Sequence, residues 1–232
     1  MMNKLFSQAG LPINATLTEK LSTYSNFLVE YNRNVNLTAI TDSKGIIVKH
    51  FIDSILPLNL VEFPLGASLI DVGTGAGFPS LPMKIYRDDL NITLLDSLRK
   101  RLDFLEQLCA RIEINDVEFI HSRAEVGGKK EDLREKFDIA TARAVANLRE
   151  LSEYCLPYVK VGGMFVALKA RDIDEEAKAA NNAITLLGGK IDRIIPYKLP
   201  TEEERTIVII KKISQTPTRY PRSSARISKK PL

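Results

Sequence analysis

The stretch Ser68-Leu-Ile-Asp-Val-Gly-Thr-Gly-Ala-Gly-Phe-Pro79 decides the fold class of this 232-residue chain. Its first five residues form a short apolar run, which predicts a buried strand. The three glycines that follow allow a sharp turn and let a ligand approach the backbone without side chains in the way. Pro79 suits the first turn of a helix. The stretch therefore predicts a strand, a glycine-rich turn and a helix, the unit from which α/β sheets are built.

Six further segments with strand character follow this glycine loop. They are 91–96, 117–120, 137–140, 164–168, 190–197 and 205–213. Helical patterns lie between several of them, notably 97–111 and 147–158, and the mostly apolar character of the strands predicts burial on both faces of a parallel sheet. The last two segments are joined by 198–204, which is too short for a helical crossover, so we expect them to pair antiparallel. The sequence therefore predicts a mostly parallel seven-stranded sheet with a C-terminal antiparallel hairpin.

The part of the chain before the glycine loop has helical periodicity and no strand signal. Residues 16–33 carry one apolar face, and Thr16 and Glu19 fit a capping box at its start. A second helix is predicted from 42 to about 56, with Pro57 near its end. We therefore divide the chain into an N-terminal helical extension (1–66), an α/β domain (67–213) and a C-terminal tail (214–232) that looks irregular from Pro217 onward.

The composition is that of an ordinary globular protein. Apolar residues make up 44% of the chain and charged residues 27%, so a sizeable core can be buried. No apolar run reaches the roughly 18 residues of a transmembrane helix, and the N-terminus has no apolar run long enough for a signal peptide. The two cysteines, Cys109 and Cys155, lie in predicted helices and make no disulfide framework. These features predict a cytoplasmic protein.

The tail has a charge distribution unlike that of the rest of the chain. The net charge is +4, yet seven basic residues lie between 211 and 232, and no acidic residue follows Glu204. Without those seven charges, the remainder of the chain carries about −3. Such a tail can neutralise nucleic-acid phosphates, or it can be a merely solvated end, and the charge pattern alone favours neither.

The glycine loop differs from a dinucleotide-binding fingerprint in two ways. Its third glycine, Gly77, comes one residue early, so that Phe78 occupies the dinucleotide position. An acidic residue, Asp71, also stands two residues before Gly73, where it would disfavour a pyrophosphate at the helix N-terminus. S-adenosylmethionine carries no phosphate, and its sulfonium and ammonium groups are plausible direct or water-mediated partners of Asp71. The loop residues Asp71, Gly73, Gly75 and Gly77 therefore favour this methyl donor over NAD, and a tight turn without a ligand is the less favoured alternative.

Asp96 supports the same interpretation. It ends the second strand, at the carboxyl edge of the sheet where ligands of α/β proteins bind, and its carboxylate can accept both ribose hydroxyls of an adenosine. Ser97 is expected to cap the following helix, although Asp96 itself is the alternative cap. The loop 121–125 after the third strand is expected beside the adenine. The fold class predicted is a Rossmann-like class I methyltransferase, whose donor residues would all lie before Ala144.

The segment after the fourth strand, 141–147, restricts which atoms can accept the methyl group. It lacks the Asn/Asp-Pro-Pro-aromatic element with which amino-directed methyltransferases hold an exocyclic amine. Neither Cys109 nor Cys155 follows a proline or belongs to this loop, which argues against pyrimidine C5 chemistry. The target is therefore expected to be nucleophilic without help, as guanine N7 is. Because A-form RNA hides N7 in a deep, narrow groove, such a guanine should be in a loop or distorted helix, or be flipped out.

Several segments together resemble the glucose-inhibited division protein B family, the small-subunit ribosomal RNA guanine-N7 methyltransferases. The similarity extends from residue 31 to about residue 212. It is carried by Tyr31-Asn-Arg-Asn-Val-Asn36-Leu-Thr38, His50-Phe-Ile-Asp53-Ser54, the glycine loop, Leu94-Leu-Asp-Ser97, Arg123-Ala-Glu125, Ala140-Thr-Ala-Arg-Ala-Val145 and Val161-Gly-Gly163. The tail departs from the family pattern, since Ala225 and Ile227 replace a glycine and a proline.

The resemblance implies roles for individual residues. Arg143, beside the expected methyl group, and Lys169 are the implied catalytic residues. The donor site would include Gly73, Phe78, Ala124, Glu125 and Arg143, together with Asp96 and Ser97. The RNA side or the mouth of the site would include Asn36, His50, Asp53, Arg123, Lys169 and Arg205. His50 and Asp53 lie three apart on a helix and could instead pair with each other.

The resemblance also implies the partners and leaves two rival functions open. The expected substrate is small-subunit (16S) ribosomal RNA, free or in a 30S-type particle, and the expected product from the donor is S-adenosylhomocysteine. No metal site, no membrane association and a monomer are expected. The rivals are a small-molecule methyltransferase, which would not need the basic tail, and a non-catalytic RNA-binding or ribosome assembly protein with a vestigial donor site.

Overall fold

A seven-stranded sheet forms the centre of the computed structural model, which describes residues 1–143, 146–170 and 173–232. Its strands are β1 (Ser68–Val72), β2 (Asn91–Asp96), β3 (Val117–His121), β4 (Phe137–Arg143), β5 (Val159–Ala170), β6 (Gly189–Lys198) and β7 (Glu204–Lys212). The strand order is β3-β2-β1-β4-β5-β7-β6, and only β7 runs antiparallel to its neighbours β5 and β6. The predicted mostly parallel sheet with a C-terminal antiparallel hairpin is confirmed.

Eleven α-helices surround this sheet in the described part of the chain. They are α1 (Met2–Gln8), α2 (Ala15–Val35), α3 (Ser43–Gly45), α4 (Asp53–Ile55), α5 (Pro57–Leu60), α6 (Ser80–Tyr86), α7 (Arg99–Arg111), α8 (Ala124–Gly127), α9 (Leu148–Cys155), α10 (Asp174–Leu186) and α11 (Ser224–Lys229). A π-helical segment, Ile46–Ile52, joins α3 to α4. None of the described helices is long and apolar enough to cross a membrane.

The core has two layers, one on each face of the sheet. Leu69 of β1 belongs to the layer shared with the N-terminal helices, α6 and α7, whereas Ile70 belongs to the layer shared with α9 and α10. Successive residues of a strand point to opposite faces, so a strand buried on both faces is mostly apolar. In β1 the buried Asp71 is the exception. Cys109 and Cys155 are buried in α7 and α9, as their predicted helical positions suggested.

Two predicted helix caps are wrong. The N-cap of α2 is Asn14, whose side chain accepts a hydrogen bond from the Leu17 amide at 2.9 Å, so Thr16 lies inside the helix. Ser97 does not cap α7, because the chain is still extended at Leu98 and the helix begins only at Arg99. Asp96 instead accepts a hydrogen bond from the Leu98 amide at 2.9 Å.

The helix predicted from 42 to 56 is present but interrupted by the π-helical segment. Asp42 caps its start through the Gly45 amide at 2.7 Å. Pro57 does not end the helical region; it occupies the first turn of α5, where its missing N–H costs nothing. π-Helical turns within α-helices are frequent at functional sites, and this one carries His50.

The tail is ordered, which corrects the expectation of an irregular end. It forms α11, and the side chains of Tyr220 and Ile227 are buried against the body of the protein. Of the predicted loop 141–147, residues 144 and 145 lie outside the described part of the chain.

Candidate active site

The glycine loop uses its glycines for two different purposes. Gly73, Gly75 and Gly77 all have positive φ angles, of 76°, 61° and 93°. A Cβ atom on Gly77 would lie 2.7 Å from the Tyr24 hydroxyl and 2.8 Å from Leu105, so this glycine allows close packing beneath the loop. A Cβ on Gly75 would meet nothing closer than the Gly73 carbonyl oxygen at 4.0 Å, so this glycine leaves open the space above the loop.

Asp71 holds the glycine loop from beneath. Its Oδ2 accepts hydrogen bonds from the Thr74 hydroxyl at 3.0 Å and from the Ser80 amide at 3.3 Å, while Oδ1 has no partner among the described residues. Complete burial raises the pKa of this carboxyl to about 7. The Asp71 side chain is fully buried behind the loop and lines no part of the cavity above it, so of the two expected contacts with a donor this geometry leaves the water-mediated one, which stays a prediction.

A cavity of about 720 Å³ opens above this loop, at the carboxyl ends of the parallel strands. The predicted donor-site residues that line it are Gly73, Gly75, Phe78, Asp96, Ser97, Ala124, Glu125 and Arg143, and His50 and Arg123 from the predicted substrate set line it as well. Gly77 lies behind this lining. The wall also includes residues beyond 144, namely Ala146, Glu150, Tyr154, Ser224 and Ser228. The expectation that all donor-site residues precede Ala144 stays a prediction, although the cavity wall extends beyond that residue.

Asp96 connects the glycine loop to the start of α7. Its Oδ2 accepts hydrogen bonds from the Gly75 amide at 2.9 Å and from Arg101 at 3.3 Å. The side chain is almost fully buried and faces the cavity, where a carboxylate can accept hydroxyl protons of a ribose.

A second cavity, of about 530 Å³, lies beside the first. The predicted residues His50, Asp53, Arg143, Lys169 and Arg205 line it, together with Tyr197. His50 and Arg143 line both cavities and therefore form the boundary between them.

Arg143, at the end of β4, is fixed by four acceptors. Its Nη1 donates to the Lys49 carbonyl oxygen at 3.1 Å, to Asp53 at 3.3 Å and to the Ser54 hydroxyl at 3.4 Å. Its Nη2 donates to Nδ1 of His50 at 3.3 Å. A guanidinium suits this place, because its planar fork of donors can serve several acceptors at once.

His50 is a neutral imidazole of defined tautomer. Burial and the charge of Arg143 lower its pKa to about 3. Because Nδ1 accepts from Arg143, the ring proton resides on Nε2, which donates to the Thr38 hydroxyl at 2.8 Å. The ring stacks on Phe78 with 4.4 Å between centroids, and Phe78 stacks on Tyr24 at 5.3 Å. The orientation of the His50 ring between the two cavities thus depends on an aromatic stack that begins with Tyr24 in α2.

Asp53 binds three partners across the second cavity. Besides Arg143, it accepts a hydrogen bond from the Tyr197 hydroxyl at 2.8 Å and lies 3.5 Å from Nε of Arg205. His50 and Asp53 do not pair with each other; both contact Arg143 instead.

Lys169 and Asn36 are placed differently from each other. The ammonium of Lys169 donates to the Ala146 carbonyl oxygen at 3.0 Å and pairs with Glu176 at 2.6 Å, so it connects the end of β5 to the backbone at Ala146 and to α10. Lys169 lines the second cavity, and its implied catalytic role stays a prediction. Asn36 ends α2 in a left-handed conformation, is exposed and lies outside the lining of both cavities.

Sequence reasoning missed several residues of the site. Thr38, Tyr24 and Tyr197 contact the boundary residues or the loop, and the tail contributes Ser224 and Ser228 to the first cavity. Thr38 stood within the quoted family stretch 31–38, which was a usable signal. The others gave none, because each contact joins segments far apart in the chain.

The sheet and the cavity at its carboxyl edge define the class as a Rossmann-like methyltransferase. The family model described as "GidB: rRNA small subunit methyltransferase G" matches residues 17–207. The chain belongs to this family.

Curated relatives agree with this assignment over their whole length. The ribosomal RNA small subunit methyltransferase G of Clostridium beijerinckii is 52% identical, with 100% of this chain and 98% of the relative covered. The protein of the same name from Bacillus subtilis is 46% identical, with 97% and 95% covered.

Solved structures share the fold at low sequence identity. A 16S rRNA (adenine(1408)-N(1))-methyltransferase from Catenulisporales acidiphilia, in complex with the cosubstrate SAM, aligns with a TM-score of 0.53 and 12% identity over 65% of this chain and 87% of that one. A ribosomal protein L11 methylase from Lactobacillus delbrueckii gives 0.53 and 15% identity, with 72% and 79% covered. Both support the predicted methyltransferase fold.

Proposed function

We propose that this chain transfers a methyl group from S-adenosylmethionine to N7 of a guanine in 16S ribosomal RNA. The observation that carries the proposal is the pair of adjoining cavities with His50 and Arg143 as their shared boundary. One cavity is suited to the donor and the other to the target base, so that the methyl group would cross between them. The family and its named relatives supply the substrate class.

The donor cavity fits S-adenosylmethionine in shape and in polarity. Gly75 leaves the space above the loop open, and Asp96 presents an acceptor for the ribose. Ala124 and Glu125 line the next part of the wall, where the adenine is expected. Asp71 acts indirectly, by fixing the conformation of the loop through Thr74 and Ser80.

The proposed reaction requires the protein to align the two reactants more than to transfer a proton. S-adenosylmethionine supplies the methyl group, which the N7 lone pair accepts as the carbon–sulfur bond breaks, giving S-adenosylhomocysteine and a cationic 7-methylguanine. N7 carries no proton, so no general base is required, which agrees with the neutral, hydrogen-bonded state of His50. Arg143 and His50 instead align the two sites, and alignment of this kind is worth several powers of ten in rate.

Lys169 and Arg205 would contact the RNA side from the second cavity, and Arg123 would do so from the wall of the first. Asn36 stays a prediction for RNA contact outside both cavities. The division into 1–66, 67–213 and 214–232 also stays a prediction, although the first part already supplies His50 and Asp53 to the site. We further propose that the protein acts as a monomer in the cytoplasm on 16S RNA or a 30S-type particle.

A methylation assay tests the function directly. Purified protein is incubated with radiolabelled S-adenosylmethionine and either naked 16S RNA or 30S particles, and the product is cleaved chemically at 7-methylguanine. One cleavage site in the RNA is expected. Label in a small molecule alone would favour the first rival, and donor binding without transfer to either RNA form would favour an assembly protein.

A further inference from the structure

The tail helix α11 contributes a polar face to the donor cavity. Ser224 and Ser228 lie four residues apart, on the same side of the helix, and both line the cavity. Glu150 and Tyr154 lie on α9 with the same spacing and also line it, and the Ser228 hydroxyl lies 3.4 Å from a Glu150 carboxylate oxygen. Two helices, α9 and α11, therefore form part of the cavity wall together.

Three arginines connect this part of the tail to the helices that line the donor cavity. Arg222 pairs with the fully buried Glu153 of α9 at 2.7 Å. Arg149 of α9 donates to the Pro231 and Leu232 carbonyl oxygens at 2.8 and 2.6 Å. Arg134 donates to the carbonyl oxygens of Tyr220 and of Gly128, just after α8, both at 2.9 Å. The tail is thus tied to the two helices, α8 and α9, that line the cavity.

We propose that the C-terminal segment 220–232 is the outer wall of the donor site and contacts the adenine of S-adenosylmethionine. This inference rests on the proposed donor. With the ribose at Asp96, the adenine is directed toward Ala124 and Glu125 and hence toward α9 and α11. An adenine edge offers an amino donor and ring-nitrogen acceptors, which the serine hydroxyls and the carboxylates of Glu125 and Glu150 can match.

The absence of tryptophan from the sequence allows a direct optical test. In the Ser228→Trp variant the only indole lies at the cavity wall, and its fluorescence should change on titration with S-adenosylmethionine. The matched control is Ala225→Trp, on the same helix but exposed and outside the cavity lining, and its fluorescence should not respond. Equal responses from the two variants, or none from Ser228→Trp while calorimetry still shows binding, would overturn the proposal.

A second pair of variants tests the contact by affinity. Ser224→Phe places a ring in the cavity and should weaken binding of S-adenosylmethionine by about tenfold or more, whereas Ala225→Phe should leave it unchanged. Melting temperature checks that both variants are folded, and filter binding to 16S RNA should be unaffected in both. If the Ser224→Phe variant is folded and its donor affinity is unchanged, the proposal that the C-terminal segment forms a wall of the donor site is contradicted. The proposed function is not affected by that result. Failure of the unsubstituted protein to bind the donor would overturn the proposed function itself.

Discussion

Arg143 is the residue on which the alignment of the two cavities depends most. Its four acceptors come from the π-helical segment and α4, whereas the guanidinium itself comes from the end of β4. The side chain is only 14% exposed, and it also faces the ring of Phe78 at 5.0 Å. Arg143 therefore joins the N-terminal helical part to the sheet at the point where methyl transfer is proposed.

The Arg143→Lys variant separates charge from geometry. A single ammonium keeps the positive charge beside Asp53 but cannot serve all four acceptors, so we expect kcat/KM for RNA methylation to fall roughly 100-fold. Loss of buried hydrogen bonds should cost about 1–3 kcal/mol of unfolding free energy, measured by urea denaturation. Arg193→Lys, on the exposed part of β6, is the control. Normal turnover in a destabilised Arg143→Lys protein would show that this arginine is structural only.

The state of His50 can be observed by NMR. The chain has two histidines, so the His121→Gln variant retains a single imidazole. We expect its nitrogen shifts to report a proton on Nε2 and to show no titration above about pH 4, because the pKa lies near 3. An imidazole that titrates near its ordinary pKa of 6.5 would mean that the ring is exposed and that the boundary between the cavities is open.

The same pKa makes a prediction about stability. The folded-state pKa of His50 lies below its ordinary value, so the contribution of neutral His50 to stability is complete above about pH 6.5 and is lost as the pH falls toward 3. The free energy of unfolding changes through this contribution by at most about 1.4 kcal/mol per pH unit. Asp71 opposes it, because a pKa raised to about 7 gives stability that is lost as the pH rises from 3.8 through 7.

The His50→Gln variant should reveal this opposition. Between about pH 4 and 6.5 the contributions of His50 and Asp71 to the free energy of unfolding change with pH in opposite directions and nearly cancel in the unsubstituted protein. The variant lacks the His50 contribution, so it should lose stability relative to the unsubstituted protein as the pH rises. Urea unfolding at several pH values measures the difference between the two proteins, in which all other groups cancel. A difference that does not vary with pH would contradict the neutral, buried state of His50.

At the scale of elements, the glycine loop predicts different outcomes for two neighbouring substitutions. Alanine in a left-handed conformation costs roughly 1–2 kcal/mol at either position. Gly77→Ala should cost more than Gly75→Ala, because its methyl group would meet Tyr24 and Leu105 at less than 3 Å. Gly75→Ala should mainly weaken donor binding, since the methyl group enters the cavity. Calorimetry with S-adenosylmethionine and thermal melting distinguish the two variants. If both lost the same donor affinity and the same stability, the different roles of Gly75 and Gly77 would be contradicted.

The strands were predictable because their signal is local. The buried stretches of β1, β2 and β5 are mostly apolar on both faces, so they could be found without knowledge of their neighbours. The exposed residues 160–162 of β5 lack this signal and were not predicted as strand. The short gap before β7 likewise fixed the antiparallel hairpin. Caps were harder, because Asn14 and Thr16 are both good N-caps and only the packing of α2 decides between them.

The site was predictable as a set of positions but not as a set of contacts. Strand order brings the ends of β1, β2 and β4 together, so Gly73, Asp96 and Arg143 were correctly expected at one edge. The sequence does not reveal whether Asp71 points above or below the loop. Nor does it reveal that Tyr197 reaches Asp53, 144 residues away, since such contacts depend on how the helical layer packs against the hairpin.

At the scale of the whole molecule, the basic tail has two separable parts. Seven basic residues lie between 211 and 232, two at the end of β7 and five in the tail, and three of the seven are engaged internally: Lys211 with Asp192, buried Lys212 with Glu135, and Arg222 with Glu153. The remaining four are exposed and form no ion pair in the described part of the chain; they are Arg219, Arg226, Lys229 and Lys230. Arg222 fixes the tail to α9, whereas the four side chains of the second group are the ones in the tail that are available to RNA phosphates.

Neutralising the four exposed charges to glutamine should therefore weaken RNA binding without unfolding the tail. Each phosphate contact removed lowers the magnitude of the slope of log K against log salt by about 0.7–0.9, so loss of all four contacts should lower it by roughly 3 to 4. Phosphate contacts position a protein and carry no sequence information, so the methylated guanine should stay the same. Donor affinity should also be retained, because none of the four side chains lines the cavity.

A matched set of charges distinguishes this local effect from net charge. Lys4 and Lys20 lie on the N-terminal helices, and Lys136 and Lys190 lie where β4 and β6 begin, at the edge of the sheet opposite the cavities. Changing these four to glutamine removes the same charge but should leave the salt slope nearly unaltered. Filter binding to 16S RNA over a salt series measures both proteins. Equal losses in the two would show that RNA responds to total charge, and no loss in either would show that the tail serves the donor site alone.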